Sequence, residues 1–339
     1  MRDILPASAG GTGRIVTLTR NEVVLAYRLL LGREPESEAV VESHLGRHDD
    51  LGSLRRDFVA SPEFRGQFTP AAAAVAPLAA TLPLGAPPLH VETDAGPEAL
   101  ARLLRAVAAR WEAIGEAAPH WSVLSSEEFR PDRIAETEEA FYASGAGDLA
   151  ILLGILARIG RAPTDFATLV EYGCGVGRLT MALAPAFRQV VGLDISPTHL
   201  RLAEQRRQRL GFGNIAFHQV TADRLHPVQG FDLWFSRIVL QHNPPPVILH
   251  ILDGMFRALA PGGLAVFQVP TYYEGYRFSL AEYAADASAS AVEMHMVPQR
   301  AVLDLACQHG CRLLDLREDT WVVAQRADCL SNNFVFEKG

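Results

Sequence analysis

The sequence predicts an α/β protein with a doubly wound, seven-stranded sheet, preceded by a small all-helical domain. Three observations predict it. After Phe166, short apolar runs alternate with amphipathic stretches, the strand–helix alternation that builds a parallel sheet covered on both faces. The run TLVEYGCGVGRLT places a buried strand, an acid, a Gly-rich turn and a helix in direct succession. Residues 19–66 show helical periodicity only, and a stretch rich in proline and alanine follows them.

Residues 1–18 read as a flexible tail with no apolar signal segment. At Thr19, Thr and Glu22 form a capping-box pattern, and Val23, Val24, Tyr27, Leu30 and Leu31 follow at helical spacing up to Gly32. Amphipathic runs over about 37–45 and 51–59 complete a helical unit over 19–68. Residues 69–97 read as a linker whose prolines interrupt an otherwise apolar stretch, so no membrane span is expected there. Residues 98–165 form a helical extension. It opens with a helix over 98–117 and ends with an apolar helix in FYASGAGDLAILLGILARIG, expected against the sheet or as a lid. The catalytic domain is expected over 166–339. Its strands are placed at 168–172, 189–194, 215–219, 231–236, 264–269, 312–317 and 333–336, and its helices at 178–187, 197–210, 246–259 and 299–309.

A net charge of -8 leaves no global footprint for nucleic acid, and the basic residues are nearly all arginine, with Lys338 the single lysine. Cys174, Cys307, Cys311 and Cys329 show no zinc or iron–sulfur spacing, so no metal centre is expected and free thiols fit a cytoplasmic setting. Cys307 and Cys311 lie four apart, which reads as packing on one helix face.

Glycine suits the turn after the first sheet strand because a side chain would block close approach of a ligand to the backbone. The spacing is G-x-G-x-G, with Arg178 where a dinucleotide fingerprint requires its last glycine, which argues against a nicotinamide cofactor. An apolar strand, an acid and G-x-G-x-G together resemble the class I S-adenosylmethionine-dependent methyltransferases, most closely in EYGCGVGRLT. That resemblance covers roughly 119–339 and implies a Rossmann-like methyltransferase sheet with S-adenosylmethionine as cofactor. It places Glu171, Gly173, Cys174, Gly175 and Gly177 beside the methionine portion and gives Asp194, in VVGLDIS, the ribose hydroxyls. A carboxylate suits that task because it accepts two charge-assisted hydrogen bonds at once. By the same resemblance Asp223 meets the adenine amino group, Ile195 and Arg224 flank the adenine, and Ser236 contacts the methionine amine.

Methyl transfer from a sulfonium is an in-line displacement that positioning alone can accelerate, and an oxygen acceptor adds the need for a base. His242, after the fourth strand, and His295, after the fifth, are the candidates. Tyr272, Tyr273, Glu274, Tyr276, Arg277 and Tyr283 offer a stacking and hydrogen-bonding surface suited to a sugar or aromatic acceptor. The expected acceptor is the oxygen or nitrogen of a glycan precursor or other small metabolite. The phrases YRLLLGREPE and DFVASPEFR resemble the DUF4214 family of small helical modules, for which a protein or carbohydrate partner is the expectation. The alternative is a protein that binds S-adenosylmethionine with little turnover and recruits a partner through that module.

Overall fold

The computed structural model describes residues 18–64, 87–285, 292–319 and 328–339. The expected tail and most of the expected linker lie outside these residues. The chain divides into two compact units, Met1–Ala80 and Thr81–Gly339.

Among the described residues, the core of the first unit is formed by three helices. α1 (Arg20–Ala26) starts at the expected capping box, with the Thr19 side chain accepting from the Glu22 N–H and Glu22 reaching back to the Thr19 N–H. It continues as a π-helical turn over Tyr27–Leu31, where a plain α-helix was expected, and stops at Gly32 in the left-handed region. α2 (Glu38–Arg47) and α3 (Leu51–Ala60) pack on it through Val23, Tyr27, Leu31, Val41, Leu54 and Phe58.

In the second unit, β1 (His90–Val91) precedes α4 (Pro97–Ala117), α5 (Pro119–Val123), α6 (Ile134–Ala143) and α7 (Gly145–Arg158). Strands and helices alternate through β2 (Leu169–Tyr172), α8 (Arg178–Leu183), β3 (Val190–Asp194), α9 (Pro197–Leu210) and β4 (Ile215–Gln219), and β5 (Phe231–Ser236) follows β4 with no helix between them. The remainder is α10 (Pro245–Ala258), β6 (Leu259–Tyr273), β7 (Arg277–Phe278), α11 (Leu280–Ala285), α12 (Gln299–Gln308), β8 (Cys311–Glu318) and β9 (Cys329–Lys338).

The main sheet has seven strands in the order β4-β3-β2-β5-β6-β9-β8. The pairs from β4 to β6 are parallel, and β9 runs antiparallel to both β6 and β8. This is the doubly wound, seven-stranded, Rossmann-like sheet the sequence predicts. The strand order reverses beside β2, so β2 and β5 diverge from a crevice at their carboxyl ends, where ligands bind in such sheets. Two apolar layers fill the faces. α10, α12 and part of α4 cover one through Ile248, Leu252, Phe256 and Val302. α6, α7 and α8 cover the other through Phe141, Leu152, Leu156 and Leu183. Ile134–Arg158 is long and apolar enough to cross a membrane by length and composition alone. Its buried residues, however, pack into the layer on the sheet, as expected of an apolar lid helix.

β6 begins five residues before its predicted start. Phe231 pairs with Leu259 and Leu233 with Leu264, so Ala260–Gly263 bulges out of the ladder with Pro261 and Gly262 exposed. The run Pro261-Gly262-Gly263 is therefore part of a bulge inside one long strand.

Candidate functional site

A cavity of about 600 Å³ opens at the carboxyl ends of β2, β3 and β5, within the range of small-molecule sites. Gly173 and Gly175 form its floor, and both have positive φ, +78° and +53°. A Cβ on Gly175 would lie 2.4 Å from Val123 Cγ2 on the segment covering the cavity, and one on Gly173 would lie 2.4 Å from Val239 Cγ1. Only glycine leaves the backbone open here. Cys174 also lines the cavity, with its thiol buried and pushed up by that burial.

Asp194, buried at the end of β3, anchors this turn. Its Oδ2 accepts from the Gly175 N–H at 2.8 Å and its Oδ1 from the Ser196 N–H at 2.9 Å. His199 Nδ1 stands 3.3 Å from Oδ1, and His199 Nε2 is 2.9 Å from the Ser122 hydroxyl. A carboxylate offers roughly four lone-pair positions, so acceptor capacity remains after three donors. Ile195 and Val220 supply apolar wall beside it.

Glu171 lines the cavity from the end of β2 and is fully enclosed. The Thr180 hydroxyl donates to its Oε2 at 2.6 Å. Burial pushes the carboxyl up to about 8, against the opposing pull of Thr180 and Arg178. Beside it lies a buried charge network. Asp148 of α7 pairs with Arg178 of α8 and, at 2.6 Å, with Arg237, which also reaches Asp319 at 3.4 Å. Asp148, Arg178 and Arg237 all border the cavity.

The far wall carries His242. Its Nδ1 is 2.7 Å from the Glu293 carbonyl oxygen, which can only accept, so Nδ1 carries the proton and Nε2 is the basic nitrogen. Burial holds the imidazole below its ordinary pKa, so it is neutral at neutral pH. Trp111 of α4 packs edge-on at 5.6 Å. The turn before His242 is strained: Ile238 adopts φ +57°, unusual for a β-branched residue, and its N–H donates to Gln268 Oε1 at 2.9 Å.

The structure places the remaining sequence candidates away from the cavity lining. Gly177 (φ +81°) lies outside the cavity lining, and its missing Cβ makes room for Ala203 of α9 and Met181, so it serves packing. The Ser236 hydroxyl donates to the Tyr172 carbonyl at 3.0 Å and is committed within the sheet. Asp223 and Arg224 are exposed in a tight turn closed by the Thr221–Arg224 bridge, and neither borders the cavity. His295 is buried behind the wall with Nε2 3.1 Å from Glu293 Oε2 and Nδ1 2.9 Å from the Tyr276 hydroxyl, so neither nitrogen faces an acceptor. The tyrosine cluster is likewise partly structural: Tyr276 holds His295, and Tyr283 donates to Glu293 Oε2 at 2.8 Å beside Arg110.

Sequence reasoning missed Thr180, the Asp148–Arg178–Arg237 network, Trp111 and the 122–125 cover. Asp148 alone carried a signal, as the one acid in the most apolar helix of the chain.

Residues 169–263 match a family model described as a methyltransferase domain. A trans-aconitate 2-methyltransferase of Streptomyces avermitilis is 34% identical over 125 residues, 35% of this chain and 45% of that protein. Its counterpart in Methylobacterium nodulans is 38% identical over 122 residues, 35% and 44% of the two chains. A ubiquinone biosynthesis O-methyltransferase of Paramagnetospirillum magneticum is 27% identical over 175 residues, covering 52% and 63%. The chain thus spans less than half the length of the first two relatives. Among solved structures, magnesium protoporphyrin IX methyltransferase of Synechocystis aligns with a TM-score of 0.48 and 15% identity over 69% of this chain and 99% of that one. The segment in which this chain is similar to methyltransferase domains is the one that contains Glu171, the glycine floor, Asp194 and His242.

Proposed function

We propose that the chain is an S-adenosylmethionine-dependent methyltransferase acting on an oxygen of a small-molecule acceptor. The observation that carries this reading is the Asp194–Gly175 clamp on the floor of a cavity of about 600 Å³, inside the segment matching methyltransferase domains. The residues fit the cofactor. Asp194 has acceptor capacity for ribose hydroxyls, Ile195 and Val220 offer a face for the adenine, the floor of Gly173, Cys174 and Gly175 admits the chain of the methionine, and Glu171 can meet its ammonium. The cofactor, when bound, supplies an electrophilic methyl group. His242 Nε2 takes the proton from the acceptor hydroxyl, with its ring held by the Glu293 carbonyl. Trp111 and the 122–125 cover exclude water from the acceptor side.

Relatives named as a trans-aconitate 2-methyltransferase and a ubiquinone biosynthesis O-methyltransferase support a small-molecule acceptor, and a glycan precursor would likewise offer a hydroxyl oxygen. The N-terminal helical unit, similar to DUF4214 modules, recruits a protein or carbohydrate partner in this reading. Cys174, Cys307 and Cys311 are free thiols, which suits a cytoplasmic setting.

The test couples calorimetry with S-adenosylhomocysteine to a labelled-methyl transfer assay on small polycarboxylates, phenols and glycan precursors. Binding together with transfer to one class supports the proposal. Binding without transfer to any class would favour an S-adenosylmethionine-binding protein that recruits a partner, and absence of binding at millimolar ligand would overturn both.

A further inference from the structure

The first unit rests on a core of few side chains, and none of the chain's cysteines lies within it to form a staple. Units of this size commonly need a disulfide or a metal to be stable. His44, in the last turn of α2, and His48, at its C-cap, are four residues apart and project together. Asp57 of α3 faces them, and one ligand atom from each of the three lies within 4.8 Å of the others.

The individual contacts favour an ion over a plain hydrogen-bonded cluster. His44 is 8% exposed, its Nε2 is 3.2 Å from the Tyr27 hydroxyl, and its Nδ1 is buried with no hydrogen-bond partner among the described residues. Nε2–H donating to Tyr27 leaves Nδ1 as a lone pair without a donor, the arrangement in which a second group orients a metal-binding imidazole. His48 Nε2 and Asp57 Oδ2 are 3.2 Å apart, close to the roughly 3.3 Å between ligands of a tetrahedral site with bonds of about 2.0–2.1 Å.

We propose that His44, His48 and Asp57 bind a Zn²⁺ ion that clamps α2 to α3, with water in the fourth position. Two imidazoles and one carboxylate favour zinc over magnesium or calcium, which prefer all-oxygen sites. Asp57, about half exposed, and His48 at the helix end can close the remaining gap without disturbing the core. The spacing rules applied to the cysteines pass over this site because its ligands come from two helices.

The test uses the full chain stripped of metal with a chelator. Co²⁺ titration should give visible d–d absorption saturating at one ion per chain. Zn²⁺ should displace the Co²⁺ and raise the unfolding temperature, while Mg²⁺ and Ca²⁺ at the same concentration should do neither. His44→Gln risks unfolding the small core, so the deciding variants are His48→Ala and Asp57→Asn. Each should weaken Zn²⁺ binding by at least about tenfold, with affinity for S-adenosylhomocysteine unchanged. No Co²⁺ absorption, equal binding of Mg²⁺, or Zn²⁺ affinity unaltered in both variants would overturn the proposal. None of these outcomes bears on the methyltransferase reading, which rests on the other unit.

Discussion

Replacing Glu171 with Gln should stabilise the ligand-free protein, and the gain should grow with pH. In the unfolded chain a glutamate ionises near 4.5, whereas burial holds the folded carboxyl at about 8. The folded state therefore keeps a proton that the unfolded state has lost, so stability falls as pH rises from 4.5 and levels off above 8. Each pH unit in that window costs about 1.4 kcal/mol, or about 3 kcal/mol at pH 7. Gln has the same shape, still accepts from the Thr180 hydroxyl and never ionises. The two proteins should therefore be nearly equal at pH 4.5–5 and differ by about 3 kcal/mol at pH 7, which corresponds to roughly 5–10 °C in Tm for a domain of this size. Urea unfolding of both proteins at pH 5, 6, 7 and 8 measures the difference directly, because all other titrating groups cancel. A companion measurement follows S-adenosylhomocysteine affinity. In the wild type it should tighten from pH 6 to 8 as Glu171 ionises against the ligand ammonium, and in the variant it should stay flat. A stability difference that does not change between pH 5 and 8 would refute the reasoning.

Three further outcomes are expected. Asp194→Ala should weaken S-adenosylhomocysteine binding by roughly 1.5–3 kcal/mol through lost charge-assisted contacts, and it also frees the Gly175 N–H that it holds; unchanged affinity by calorimetry would remove Asp194 from the site. His242→Gln should lower kcat by roughly 10²-fold with little effect on cofactor affinity. The acid limb of the wild-type pH–rate profile should lie below pH 6.5, because burial lowers the His242 pKa, and should vanish in the variant; His295→Gln should leave that limb in place. Asp148→Ala strands the guanidiniums of Arg178 and Arg237 and should cost roughly 3–5 kcal/mol in chemical denaturation, whereas a loss under about 1 kcal/mol would mean the network is wet and weak.

The sequence by itself determined the alternation of strands and helices, the two-unit pattern and the acid–glycine–acid signature. These are local properties: apolar period, turn chemistry and capping act between residues a few positions apart. Pro197–Leu210, Ile215–Gln219 and Phe231–Ser236 accordingly fall where their periodicity and turns put them. The start of β6 did not, because the bulge at Ala260–Gly263 is set by pairing with β5 and not by the PGG run itself. Placement on the cavity lining divides along the same line. Glu171, Gly173, Gly175 and Asp194 were legible because a strand end followed by a Gly-rich turn fixes where they point. Gly177, Ser236, Asp223 and His295 carry the same residue types in plausible places, yet their partners are Ala203, the Tyr172 carbonyl, a local turn and the Tyr276–Glu293 pair. Only the tertiary structure separates His242 from His295, because it puts His242 on the cavity lining and engages both His295 ring nitrogens with Glu293 and Tyr276. It also brought Asp148 to Arg237, 89 residues apart. Such choices lie beyond sequence because burial, and the desolvation that moves Glu171 and His242, depend on which surfaces meet, and those surfaces come from segments far apart in the chain.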